Sequence, residues 1–478
     1  MPPVPVVPTI AVVGGGASGS ITTVHTIRSW ADGTPLRIVM YDARGRPGRG
    51  VAYGTDDRSH LLNVPAARMS ALADEATHFL DWLATRDADA TAWTFAPRAT
   101  YGEYLTDTLM QHAGAAEFVL RERAVSDLVR TPRGFQVRSG HEVDHVDAVV
   151  LATGNSPPAP LVVRGVEIPD GERYVADPWQ DGAIARARAL ANGDGVVLLV
   201  GSGLTSVDVA LSLSDGNPTR LRVVCVSRHG LLPRRHVSPQ PEPWPVAVPD
   251  GEEALSLQDV EKLIGDQVTA ARASGADWRA VIDGLRPHVS TLWRRLPIAE
   301  RRRFLAGPAR LWDVHRHRMA PAVGAVVAEL MSRGCLEVRS ARLADMRETS
   351  DGWSVALAGP DSTQTIHASV VVNCTGPAVA GLHGCDQLLT RLVARGLAHY
   401  DALGLGVQTD NDGRVVGAGG VGQPDLFAIG PLRRGELWES TAVPEIRQQA
   451  AVIGVRLTDY LATAGTGSPR SAHTGVAP

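Results

Sequence analysis

Three glycines at fixed spacing, Gly14-x-Gly16-x-x-Gly19, follow directly on an apolar run at residues 9–13 and precede a helical repeat of Ile21, Val24 and Ile27. A dinucleotide needs that order. The first glycine permits a tight turn, the second lets the backbone approach a pyrophosphate, and the third lets helix pack on strand. The helix N-terminus then offers unpaired N–H groups and a partial positive charge, so Ala17 and Ser18 join Gly14, Gly16 and Gly19 as candidate phosphate ligands. A second apolar strand, 36–41, ends at Asp42, 23 residues after Gly19, where a carboxylate can accept ribose hydroxyls. A tight turn without ligand is the alternative, but strand, helix and acid all stand where a ligand requires them.

The arrangement recurs as Gly201-x-Gly203-x-x-Ser206, after strand 195–200 and before a helix carrying Val207, Ala210 and Leu211. Leu204 and Thr205 fall within the turn. The following strand, 221–226, leads into Ser227-Arg228-His229 rather than an acid. A carboxylate there would repel a 2′-phosphate, whereas Arg228 can bind one bidentately, so NADPH is expected over NADH. A solvated surface arginine is the alternative. Two dinucleotide sites in one chain imply hydride passing from NADPH to a flavin. The first site, with its acid, suits FAD, whose adenosine ribose keeps a free 2′-hydroxyl. Residues 425–431, including Gly430, and a helix opening near Pro444 are expected to close the flavin site, with the helix N-terminus toward the electron-rich pyrimidine end.

Stretches 118–155 and 336–377 share a pattern of short strands, a polar turn and a buried strand ending in Thr153-Gly154 and Thr375-Gly376. This is a duplicated architecture of two β-meanders feeding two nucleotide-binding sheets. Val125, in the first meander, joins Thr153 and Gly154 as a cofactor-binding candidate. Residues 250–334 are helix-patterned, with Pro and Gly breaks. The predicted fold is α/β, with two Rossmann-like dinucleotide-binding domains, β-meanders and a helical insertion. Its boundaries are 1–165 (FAD domain, first part), 166–249 (NADPH domain), 250–334 (helical insertion on the substrate or NADPH side), 335–462 (FAD domain, second part) and 463–478 (flexible tail).

Composition narrows the function. The 478 residues are 44% hydrophobic and 21% charged, too many for one compact core and too apolar for disorder. Net charge is −4 without charged blocks, so no nucleic-acid arm is expected. The start, MPPVPVVPTI, lacks a basic n-region, and no apolar run reaches the roughly 18 residues of a membrane span, so a cytoplasmic protein without membrane contact is expected. Lys262 is the one lysine beside 46 arginines, and no glycine precedes it, which removes the phosphate-loop motif and argues against a Schiff-base mechanism. Cys225, Cys335, Cys374 and Cys385 form no C-x-x-C pair, so neither a redox dithiol nor a metal site is expected.

The chain resembles bacterial FAD/NAD(P)-binding flavoproteins related to class B flavin monooxygenases and amino-acid N-hydroxylases, of aspartate N-monooxygenase type. The resemblance rests on GGGASG (14–19), GRGVAYGTDDRSHLLNVPAARMSAL (48–72), FAPRATYGEYL (95–105), SRHGLLPRRH (227–236), WDVHRHRMAP (312–321) and GPLRRGELWESTAVPEIRQQA (430–450). It implies the glutathione-reductase and class B monooxygenase architecture. It also implies that Asn63 and Met69 pass the isoalloxazine, where an Asn amide can hydrogen-bond the flavin or a substrate amine. A loop-stabilising Asn is the alternative. Arg98, with Tyr101, would position flavin or a substrate carboxylate. Of the run His315-Arg316-His317-Arg318, one helix face is expected to reach the cleft, and His315 and Arg316 are taken as catalytic candidates. A two-His metal site is unlikely there, since i and i+2 diverge on a helix. The Baeyer–Villiger fingerprint F-x-G-x-x-x-H is absent, with residues 174–179 (YVADPW) in its place.

These readings combine into an FAD- and NADPH-dependent monooxygenase that N-hydroxylates a small amino acid or amine with O₂ through a C4a-hydroperoxyflavin. A flavin oxidoreductase without oxygen insertion, and a non-catalytic redox-responsive flavoprotein, are the alternatives. The arginines of 280–318 would suit a carboxylate-bearing substrate, and a homo-oligomer is compatible with the sequence.

Overall fold

A computed structural model of the chain describes residues 7–30, 33–191, 195–214, 221–378 and 386–465. Eleven strands build two sheets: β1 Thr9–Val13, β2 Arg37–Tyr41, β3 Glu117–Arg121, β4 Ala148–Leu151, β5 Tyr174–Val175, β6 Val196–Val200, β7 Arg222–Ser227, β8 Leu336–Ser340, β9 Val370–Asn373, β10 Arg414–Val416 and β11 Gly422–Ala428. The first sheet has the order β10-β11-β4-β1-β2-β3 and is parallel except for β10. The second, β5-β9-β6-β7-β8, is wholly parallel. Strands such as β1 and β4 are buried throughout, as near-continuous apolar runs must be when both faces of a parallel sheet are covered.

Each sheet carries helices on one face and a three-stranded antiparallel meander on the other. On the first, helices α1 (Ala17–Ser29) and Val443–Gly465 pack together through Ile21, Val24, Ile453 and Leu457, while Leu128, Phe135 and Val137 of the first meander cover the far side. On the second, α2 (Leu204–Ser214) and helix Pro321–Ser332 cover one face, and Trp353, Val355 and Leu357 of the second meander cover the other.

The glycine turns sit where the sheets admit no side chain. A Cβ on Gly14 would meet the Ala152 carbonyl oxygen at 2.2 Å, and one on Gly201 would meet that of Cys374 at 2.2 Å. Each turn is thus tucked under the end of its own Thr-Gly strand. That contact corrects the expected boundary at 335: β8 and β9 belong to the second sheet, and the chain returns to the first only after Gly376. The insertion is narrower too, because helix Pro321–Ser332 packs on the second sheet through Val323, Val327 and Leu330. The helix Val443–Gly465 runs past the expected start of the tail at 463, and residues 466–478 lie outside the described residues. Among the described residues no helix is long and apolar enough to cross a membrane.

An ion pair joins the halves. Arg98 Nη1 lies 2.7 Å from Asp208 Oδ2 on α2, both groups largely buried. Beside it, fully buried His60 contacts Ser212 Oγ at 2.8 Å, and Ser212 donates to Asp57.

Two glycines test these packing arguments. Gly19→Ala would set a Cβ 1.9 Å from the Gly14 carbonyl oxygen and is expected to cost at least about 2 kcal/mol in chemical denaturation. Gly265→Ala, in open space within helix Leu257–Ala273, is expected to stabilise by about 0.5–1 kcal/mol in the same measurement.

Candidate active-site cleft

A cleft of about 890 Å³ lies between the halves. The second half contributes Gly201, Gly203, Leu204, Thr205, Ser227 and Arg228, and the first contributes Asn63, Met69 and Arg98. All nine are sequence candidates. Ser206 is buried at the start of α2 and donates to the Gly203 carbonyl at 2.8 Å.

The remaining cofactor candidates do not line this cleft, and all but Val125 gather at the first glycine turn. Gly14 abuts Ala152, next to Thr153 and Gly154. Gly430, at φ +71°, leaves no room for a Cβ against Ser18 Oγ. Asp42 follows β2, accepts the Arg44 backbone N–H at 2.9 Å, and fills the space a Cβ on Gly15 would take. Val125 packs, half-buried, against the core beneath the first meander.

Two residues the motifs did not single out stand over the second turn. Arg310 donates through Nη2 to the carbonyls of Ser202 (2.9 Å) and Leu231 (2.6 Å), beside Gly203. Arg342, two residues past β8, shares the exposed rim with Arg228 and His229. Strand pairing brings them together, since the Ala341 N–H donates to Ser227 O and Ser340 Oγ to Arg228 O. Neither Arg228 nor Arg342 has an ion-pair partner among the described residues. Long-range pairing left no local signal for Arg310 or Arg342 in an arginine-rich chain.

The insertion reaches the cleft through helix α3 (Ala309–Arg316), followed by His317. Here the candidates need correction. His315 turns away, bonding Leu311 O at 2.8 Å and packing edge-on to Trp278, so it is not a cleft residue. Arg316 is buried against Glu439 (3.3 Å) and Glu445 (3.5 Å), with its charge already matched. The face that lines the cleft carries Arg310, Asp313 and His317. The other arginines of 280–318 are similarly engaged: Arg286 grips Glu445, Arg295 and Arg301 bond backbone carbonyls, and Arg318 pairs with Asp283. Structural duty, not carboxylate recognition, accounts for their number.

Arg98 is likewise bound on one side by Asp208, whose own carboxyl burial pushes above the usual range. Tyr101 is fully buried and donates to the Met69 carbonyl at 2.8 Å, which fixes the chain at Met69 and leaves no hydroxyl for a substrate. The backbone at Asn63 is pinned by His236, whose Nε2 lies 3.1 Å from Asn63 O while Nδ1 faces the Gln240 amide at 3.2 Å. Burial, then Arg318, lowers the His236 pKa to about 3.

The first site fits a flavin nucleotide by its own atoms. Gly14, Gly15 and Gly16 keep the turn free of side chains, and Gly430 closes on Ser18. Nearby, Ser440 Oγ and Gln449 Nε2 are buried without a hydrogen-bond partner, although Gln449 Oε1 accepts from the Gly430 N–H at 3.1 Å. Unpaired buried polar atoms are costly, and a bound polar ring edge would satisfy them.

Residues 11–156 match a family model described as FAD-NAD(P)-binding. That stretch holds the first glycine turn, Asp42, Asn63, Met69, Arg98, Thr153 and Gly154. A search of curated proteins by sequence finds no match. Among solved structures, the ornithine hydroxylase of Pseudomonas aeruginosa in its reduced form is similar over 95% of this chain and 100% of its own, at 16% identity and TM-score 0.63. The L-lysine 6-monooxygenase of Pseudomonas syringae is similar over 96% and 100%, at 16% identity and TM-score 0.61. The ornithine N-hydroxylase of Kutzneria sp. 744, solved with reduced FAD, NADP⁺ and L-ornithine, is similar over 94% and 98%, at 15% identity and TM-score 0.60. The chain has the fold of these enzymes.

A pH measurement tests the His236 anchor. Because its folded pKa lies below the unfolded value, the unfolded chain takes up the proton first, and stability falls as pH drops from about 6.5 toward 3. Urea unfolding of the wild type should lose up to about 1.4 kcal/mol per pH unit more than His236→Gln over that window.

Proposed function

We propose that the protein is an FAD- and NADPH-dependent monooxygenase that N-hydroxylates a small amino acid or amine. The observation that carries this reading is one cleft walled by the second glycine turn on one side and by Asn63, Met69 and Val443 on the other. Nucleotides entering from separate turns would meet there. The net conversion is R–NH₂ + O₂ + NADPH + H⁺ → R–NHOH + NADP⁺ + H₂O.

In this reading Gly14, Gly16 and Gly19, with the N–H groups of Ala17 and Ser18, hold the FAD diphosphate, and Asp42 takes the adenosine ribose. Val125, Thr153, Gly154 and Gly430 close around the same nucleotide, and Ser440 and Gln449 offer their free polar atoms to the flavin. When bound, FAD supplies a two-electron acceptor able to take hydride from NADPH and activate O₂. The second turn, through Gly201, Gly203, Leu204, Thr205 and Ser206, receives the NADPH diphosphate, with Arg310 above it. Ser227 lies at the adenosine ribose, and Arg228 and Arg342 form a two-armed clamp for the 2′-phosphate. Asn63 faces the shared space with an amide that can orient an amine. Arg98, its charge balanced by Asp208, positions the wall rather than the substrate. A cytoplasmic setting, where NADPH is supplied, completes the proposal.

The deciding experiment combines protein, FAD, NADPH and ¹⁸O₂ with L-aspartate, L-ornithine, L-lysine or cadaverine. N-hydroxylated product carrying label is expected. NADPH oxidation that yields only peroxide with every amine would favour an oxidoreductase without oxygen insertion. In the same assay Arg228→Ala and Arg342→Ala should each raise the KM for NADPH roughly tenfold or more, while the KM for NADH changes less than about twofold. Equal effects on both cofactors would remove the clamp.

A further inference from the structure

Among the described residues, His288 and His317 are enclosed histidines without a ring hydrogen bond, and of these two His317 lines the cleft. His25, His60, His78, His236 and His315 all have a ring nitrogen in a hydrogen bond. The His317 ring makes none among the described residues, and its nearest acid, Asp313 Oδ1, stands 4.0 Å away. The side chain is 30% exposed, follows the carboxyl end of α3 and lines the cleft. A histidine with a free ring in a cleft is equipped to exchange a proton.

Its surroundings tune that exchange from three directions. Asp313 and Arg316 face it from α3, Arg434 from helix Arg434–Leu437, and Glu439 from the segment that follows. Burial, reinforced by Arg316 and Arg434, keeps the ring neutral near pH 7, while Glu439 and Asp313 favour its protonated form. Burial alone would raise the Glu439 pKa, but Arg316, His317 and the Trp312 indole (3.1 Å to Oε1) hold the carboxyl ionised. The backbone next to Glu439 is strained. Trp438 adopts φ +59° and ψ −60°, held there by stacking on Trp293 at 5.0 Å, an edge contact with Phe304 at 5.1 Å, and the Arg434 guanidinium over its ring. A side chain other than glycine in that region costs energy, which the aromatic packing offsets.

We propose that His317 accepts the proton of the substrate's ammonium group, with Glu439 as the positioning residue that stabilises the resulting imidazolium. The inference rests on the N-oxygenation reading above. With a pKa of about 10.4 for an alkyl ammonium, only roughly one molecule in a thousand carries a free nitrogen lone pair at pH 7.4. The N–H bond breaks with its electron pair left on the amine nitrogen, a new N–H bond forms on the imidazole, and the proton then passes to water at the cleft mouth. No electron changes hands. The arginines around the cleft disfavour a second cation and so assist the transfer.

The test compares wild type, His317→Gln and His317→Ala in the complete FAD- and NADPH-containing enzyme with whichever of the four amines named above is turned over. Wild-type kcat/KM for the amine should be flat from about pH 7 to 9, with an acid limb below the ordinary histidine value of about 6.5. His317→Gln should lose roughly 10²-fold or more at pH 7 and regain about tenfold per pH unit as the free amine appears in solution. Added imidazole should partly restore His317→Ala. An NMR titration of the His317 ring needs no turnover, and Glu439→Gln should lower its pKa. A variant with the wild-type pH profile overturns the role of His317, and an unmoved titration in Glu439→Gln overturns that of Glu439. Wild type that forms no N-oxygenated product with any of the amines overturns the functional reading itself, and this role with it.

Discussion

A missing Cβ governs both glycine turns. Gly14 and Gly201 occupy backbone conformations at φ +108° and +121°, and each lies so near the next strand that the carbonyls of Ala152 and Cys374 fill the place of a Cβ. Because those contacts are backbone to backbone, no rotamer change can relieve them. They fix where each helix begins, and hence where its free N–H groups point. Everything that enters the cleft is measured from those two turns.

Between the turns, charge is divided into two kinds. Arg286 and Arg316 are matched by Glu445 and Glu439, so their guanidinium groups hold the insertion on the rest of the protein, while Arg318 pairs with Asp283 within the insertion. Arg228, Arg342 and Arg434 line the cleft without an ion-pair partner among the described residues. A buried pair adds little net stability, because desolvation offsets most of the attraction, but it fixes geometry. Unpaired cations at a cleft wall retain their field for an anionic ligand. The same residue type thus builds the wall in one place and faces the open cleft in the other.

Two of the cysteines are enclosed by the second sheet. Cys374 lies against the second glycine turn, yet it is buried and its thiol is pushed well above its ordinary pKa by desolvation. Cys225 is buried one strand away, with its thiol raised to about 12. Neither is a ready thiolate, and Cys385 lies outside the described residues.

Local sequence determined the two glycine turns, Asp42, the arginine that replaces an acid after β7, and the two meanders. Each depends on residues within one strand-turn-helix unit, where chain connectivity enforces the geometry. Asn63 and Met69 were legible through resemblance, and both line the cleft. The boundary near 335 was misread because two sheets of like composition compete for β8 and β9, and only pairing beside β6 and β7 decides between them. His315 was preferred over His317 because helical periodicity says that the two diverge without saying which faces inward. That choice falls to tertiary packing: Trp278 covers His315, while His317 lines the cleft. Arg310 and Arg342 reach the second turn across a hundred residues of chain. Contacts of that length are set by packing, a property of the folded chain that no local pattern records.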